Sequence, residues 1–272
     1  MSVDELEREE VTSKETARPY FDEFGRCIPT ALTAPAHIES RRYFLAVQPQ
    51  VDYSEIYNRL NECFGFSEQL SLAAFKQRAE AIIESLRNDD EYSNITQGVA
   101  VPFILPKAVY NDIGEALEND YLTAVDKSFH TKFPKYSFVN HSVESLTGKF
   151  GVAEGSRHEK LLEAMKQDVV VGYYFPSLLE YSVPAAIEQV GKLPDKFLLA
   201  GGFDTAAAFI GSPDLLLRED GYPPLLWLSG LSTDSQDAGY HFEAYGYGLT
   251  FNRRAHLGHV AEYWASGLVV IG

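Results

Sequence analysis

Val169-Val-Val-Gly-Tyr-Tyr-Phe-Pro176, followed by Ser182-Val-Pro-Ala-Ala-Ile-Glu-Gln-Val-Gly191, carries most of the information on fold class. Residues 169–175 are apolar throughout, as in a strand with both sheet faces covered. Ser182 and Pro184 then open a short helix that stops at Gly191, the usual proline-first, glycine-last asymmetry. A strand feeding a helix at this spacing belongs to an α/β or α+β protein.

Working outward, the same alternation recurs. Tyr43–Val47 reads as a short strand ending at Pro49. Asp52 and Glu55 have capping-box spacing for a helix whose apolar face is Ile56, Leu60, Cys63 and Phe64. Leu72, Phe75, Ala79, Ile82, Ile83 and Leu86 repeat at three and four residues, which predicts a second helix beginning after Ser67. A polar loop over 88–97 leads into a strand at Val99–Leu105. Asp112 and Glu115 cap a further helix with Ile113, Leu117, Val125 and Phe129 inward. Tyr136–Val139 reads as a strand, and Ser156 with Glu159 caps a helix carrying Leu161, Leu162 and Met165. Phe197–Ala200, Leu225–Leu228 and Tyr240–Phe251 complete the strands. The last has a period of two and suggests an antiparallel element. The expectation is a mixed sheet flanked by helices, with an antiparallel C-terminal region.

Val99-Ala-Val-Pro-Phe-Ile-Leu-Pro106 aligns without gaps on Val169–Pro176, with three identities. Each stretch is followed by a capped helix and a proline before another strand, so a βαβ unit is a candidate internal repeat. The halves would divide near 150–168. Residues 1–35 read as an acidic arm and connector, because eight acids fall within the first 24 positions and Pro29 and Pro35 follow. A single α/β domain is expected over 36–272.

The net charge is −16, from 39 acids against 23 Lys and Arg. A phosphate backbone or an anionic membrane would be repelled by that field. Two cysteines without CxxC spacing, and acids at the N-terminus in place of a secretory pattern, point to a soluble, cytoplasmic protein. The longest apolar runs fall short of the ~18 residues of a membrane span.

Candidate chemistry gathers towards the C-terminus. His256, His259 and Glu262 are spaced i, i+3, i+6 and could ligate a metal, with His241 and Glu243 alternating on a nearby strand. Leu257, Val260, Ala261 and Trp264 form an apolar stripe at helical spacing, which would turn both histidines of that helix to solvent. Gly201 and Gly202 follow a strand and could cradle a phosphate, but G-x-G-x-x-G and a P-loop lysine are missing. Asp204 at that helix start reads as an N-cap. Ser229 ends a strand without the flanking glycine of a nucleophile elbow. The oxygen-rich loop 232–239 lacks calcium-loop spacing, and Cys63 belongs to a helix's apolar face. No cofactor is expected.

Two functional readings follow. In the first, a non-catalytic binding or assembly protein presents acidic surface and the tyrosines Tyr240, Tyr245 and Tyr247 to a protein partner. In the second, a small-molecule enzyme uses His241, Glu243, Asp204 and Ser229 near the C-terminal strand and helix.

Overall fold

The centre of the sheet is a strand that the hydrophobic pattern does not single out, Trp264–Ile271. In the computed structural model, which describes residues 19–218 and 220–272, this strand (β10) is paired along both edges. Val170–Leu179 (β4) runs antiparallel along one edge, with Val269 opposite Tyr174 and Ala265 opposite Leu179. The other edge is shared by Leu198–Leu199 (β5), antiparallel, and Leu225–Trp227 (β6), parallel. Beyond β4 lies Val101–Leu105 (β1), antiparallel. Beyond β6 comes the hairpin Ala238–Tyr245 (β8) and Gly248–Ala255 (β9), and then the edge strand Phe138–Asn140 (β2), parallel to β9. A separate ribbon pairs Phe150–Val152 (β3) with Leu231–Thr233 (β7). The mixed α/β architecture is therefore as expected.

Three helices start at the caps read from sequence, Asp52, Asp112 and Ser182, whereas Ser156 does not cap its helix, whose N-cap is His158. Tyr53–Phe64 (α1) starts at Asp52, whose carboxylate accepts from the Ser54 and Glu55 amides, and it ends in left-handed Gly65. Leu72–Arg87 (α2) is capped by Ser71 rather than beginning at Ser67. Asp112 caps Ile113–Ala116 (α3), which passes through a π-helical turn at Leu117–Leu122 into Thr123–Lys132 (α4). Glu159–Gln167 (α5) begins one residue past His158. Ser182 accepts from the Ala185 amide at the start of Val183–Lys192 (α6). Gly202–Gly211 (α7) is buried along its whole length. It packs on β1 and β4 and is covered in turn by α1, α4 and the π-helical turn.

Four expectations are corrected. Tyr43–Val47 makes only an isolated bridge, Phe44 with Tyr222, because Pro49 and an exposed flank leave it without a ladder. Tyr240–Phe251 is a hairpin rather than one strand, since Gly246 at φ +62° turns the chain. Residues 256–263 form turns, not the helix that the His256/His259 spacing suggested, because the backbone bends at His256 and then enters β10. The packed body reaches back to Tyr20 instead of starting near residue 36. Phe21 and Cys27 are fully buried, and the Cys27 amide donates to Ser177 O at 2.8 Å. The acidic arm lies outside the described residues up to position 18.

The two stretches aligned as a candidate repeat are arranged differently in the sheet. In the second unit, β4 and β5 run the same way on opposite edges of β10, with α6 between them in sequence. In the first unit, β1 and β2 also share a direction but stand at the two ends of the sheet. Among the described residues no helix is long and apolar enough to cross a membrane.

Gly230 sits where two backbone segments approach closely. Its amide donates to Ala200 O at 2.7 Å, and a Cβ there would stand 2.6 Å from Leu199 O. Backbone cannot yield as a side-chain tip can, so Gly230→Ala is expected to cost about 1–3 kcal/mol by overpacking. Urea unfolding of the variant beside the parent checks this; an unchanged midpoint would show that β5 and β6 can separate freely.

Candidate functional site

The β8–β9 hairpin carries the highest density of candidate residues, and its alternation sorts them onto two faces. Phe242 turns towards α7, 4.7 Å from the Phe209 ring centre, and Tyr240 stacks on Phe251 at 5.4 Å. Tyr240 is thus core, and of the three tyrosines proposed as partner contacts only Tyr245 and Tyr247 reach solvent. They flank the Gly246 turn and are 81 % and 50 % exposed. Tyr247 lies flat against Tyr136, ring centres 5.1 Å apart and planes 21° from parallel. Tyr136 lies two residues before edge strand β2, where Val139 is also exposed. Three tyrosine rings and an unpaired sheet edge therefore meet at one corner. Tyr136 was legible only as a strand residue, since nothing in sequence placed it beside a turn more than 100 positions away.

The opposite face of β8 carries His241 and Glu243. His241 is 1 % exposed and packs edge-on against Trp227, which in turn packs against Trp264. Its Nε2 lies 3.3 Å from Glu243 Oε2. Burial lowers the imidazole's proton affinity more than the carboxylate raises it, so the ring is neutral and Nε2–H donates. The hydrogen bond to His241 holds the Glu243 carboxyl below its ordinary range despite partial burial. Arg254 completes the group, with a guanidinium nitrogen 3.7 Å from Glu243 and another donating to Tyr263 Oη at 2.8 Å. His241 Nδ1 and the indole nitrogens of Trp227 and Trp264 are buried without partners among the described residues. Trp227, Trp264 and Arg254 went unnoticed as site residues because their convergence depends on strand order β8–β6–β10, which no local pattern encodes.

The other catalytic candidates stand apart from this pair. Ser229 shares a 2.6 Å hydrogen bond with Ser266, and both are buried. Asp204 is fully buried on α7. It sits at the third helical position rather than at the N-cap, and its two oxygens accept from the Gly201 amide at 2.9 and 3.0 Å. Desolvation raises its pKa, opposed by nearby His158 and by backbone amides. The Gly201 amide is thereby occupied, and Gly202 lies under the Leu117 side chain, so this helix start is closed to a phosphate.

His256 and His259 are exposed, their rings stacked 5.2 Å apart. His256 Nδ1 faces Asp237 at 3.3 Å, whereas Glu262 turns away to Arg41 at 2.9 Å. Among the described residues no group of three or more His, Cys, Asp or Glu side chains is placed to hold a metal. Burial pushes the Cys27 thiol up to about 12.

No protein-family model matches the chain, and neither the curated proteins nor the solved structures contain a match.

The His241–Glu243 pair has a readable pH signature. The unfolded chain binds a proton at His241 near its ordinary 6.5, which the folded state resists, so stability falls as pH drops below that value. Glu243, with an ordinary value of 4.5, adds a second loss in more acidic solution. Thermal melts from about pH 8 to about pH 5 should show the first decline in the parent and a flatter one in His241→Gln. Parallel profiles would show that His241 is already protonated in the fold.

Proposed function

We propose that this is a non-catalytic binding protein that engages a basic protein partner through the corner formed by Tyr136, Tyr245, Tyr247 and edge strand β2. The observation that carries the reading is the exposed pair of tyrosines at the hairpin tip, one of them braced by a third ring. Tyrosine supplies large, amphipathic contact area at small entropic cost and is enriched among residues that dominate binding energy. An adjacent unpaired strand edge offers backbone hydrogen bonds that a partner's extended segment can complete. The charge of −16 supports a cationic partner, because it accelerates encounter with opposite charge and repels nucleic acid. A reducing compartment, the cytoplasm, suits the two free cysteines. The side chains read as catalytic in sequence support this reading too, being engaged with one another or with backbone.

The test is affinity capture from native lysate by the parent and by Tyr245→Ala/Tyr247→Ala, with the melting temperature as a control for folding. The parent should retain a protein of high isoelectric point that moderate salt releases, and the variant should lose it at least about tenfold. Retention of the same basic protein by the variant, or of acidic proteins only, would overturn the proposal.

A further inference from the structure

A second site lies where the N-terminal segment docks on the end of β4. Asp22 Oδ1 accepts from the amides of Phe24 and Arg26, both at 2.9 Å, and Gly25 takes φ +83° to close the turn. No side chain fits there, since a Cβ on Gly25 would stand 2.4 Å from the Gly98 amide nitrogen. The turn drives Arg26 inwards until it is 3 % exposed. Its guanidinium donates from Nε to Leu179 O at 3.1 Å, from Nη1 to Ile38 O at 3.0 Å, and from Nη2 to His37 O. A guanidinium has five N–H donors, so two remain unspent.

The buried positive charge has no carboxylate in direct contact among the described residues. Glu180 is the nearest candidate along the chain of contacts, but it is bonded to His37 and Ser40 instead. Asp22 is committed to the turn amides. Arg42 stands close by, half-buried, with φ at +54° and its guanidinium 3.7 Å above the Phe24 ring. Its side chain makes no hydrogen bond or ion pair with the described residues. Ser177 supplies a third unspent donor: it is 5 % exposed and its hydroxyl has no partner among the described residues. Arg26, Arg42 and Ser177 line one small cavity of about 70 Å³, together with Phe24, Leu45 and Pro176.

From this geometry we propose that the cavity is an oxyanion site that takes a phosphate group. Its unspent polar groups are donors, two of them cationic, and among the described residues no carboxylate lines it. The occupant must therefore be an acceptor with negative charge. Paired guanidinium forks match the oxygens of phosphate, and a buried hydroxyl adds a directional contact. A cavity of this size has room for a single oxyanion. In a protein whose overall field repels anions, such affinity has to come from local donors, and here they are concentrated. The inference is independent of the tyrosine corner.

Titration with inorganic phosphate, followed by melting temperature and calorimetry against chloride at matched ionic strength, tests the proposal. Phosphate should raise the melting temperature saturably, by a few degrees at about a hundredfold excess over Kd. Arg42→Gln, which leaves the Arg26 turn intact, should weaken binding by about tenfold or more, and Ser177→Ala by less. A phosphate monoester run in parallel identifies the source: equal binding marks a phosphate group carried on a larger ligand, and loss of binding marks the free ion. A response no larger than that to chloride, or an affinity unchanged in Arg42→Gln, would overturn it.

Discussion

The constraint on which the rest of the fold depends is that α7 has no face in water. A helix apolar all round must be covered all round. The sheet supplies one side, through β1 and β4, and α1, α4 and the π-helical turn supply the other. Small residues permit this depth. Ala206, Ala207 and Ala208 are fully buried, and Gly211 lies close enough to Ile56 that a Cβ would stand 2.9 Å from it. The difficulty is the helix start, where unpaired amides in a dry interior would be costly. Asp204 meets it by turning its carboxylate back to Gly201. The same carboxylate is itself a buried charge, so the device satisfies one orphaned donor at the cost of a buried anion that the chain solvates.

Much of this architecture was legible in sequence because the relevant signals are local. Asp52, Asp112 and Ser182 announce their helices through side chains that reach only two or three residues ahead. Residues 169–175 declare burial on both faces by being apolar throughout. Helix periodicity was misleading at 256–264, where an apolar stripe at helical spacing belongs instead to a turn and the entry of β10. Leu257, Ala261 and Trp264 still cluster with Trp227, as a stripe would demand, but across a loop. A period of 3.6 sampled over so few residues cannot separate the two outcomes. The central strand itself was overlooked because Ser266 and Gly267 interrupt it, and Gly267 is where its pairing with β4 shifts register around the Tyr174 ring.

The candidate sites were less legible, for a related reason. His241 and Glu243 are two apart on a strand, so alternation alone put them on one face and the structure keeps them together. Tyr136 with Tyr247, and Arg26 with Arg42 and Ser177, are joined only by the order of strands and the docking of the N-terminal segment. Neither is a property of a sequence window. The tyrosines of the hairpin looked equivalent in sequence, and the pleat divides them, sending Tyr240 into the core and leaving Tyr245 and Tyr247 beside the turn.

The position of β10 bears on the order of synthesis. On a ribosome, every other strand emerges before Trp264–Ile271. At that stage the nascent chain holds two half-sheets, β1 with β4 and β6 with β8, β9 and β2, and β5 has no partner at all. The inner edge of β4 is then long, apolar and unpaired, an arrangement prone to pairing with a neighbouring chain. The eight residues of β10 must therefore find their slot promptly, and until they do the β4 edge depends on shielding from outside rather than on its own hydrogen bonds.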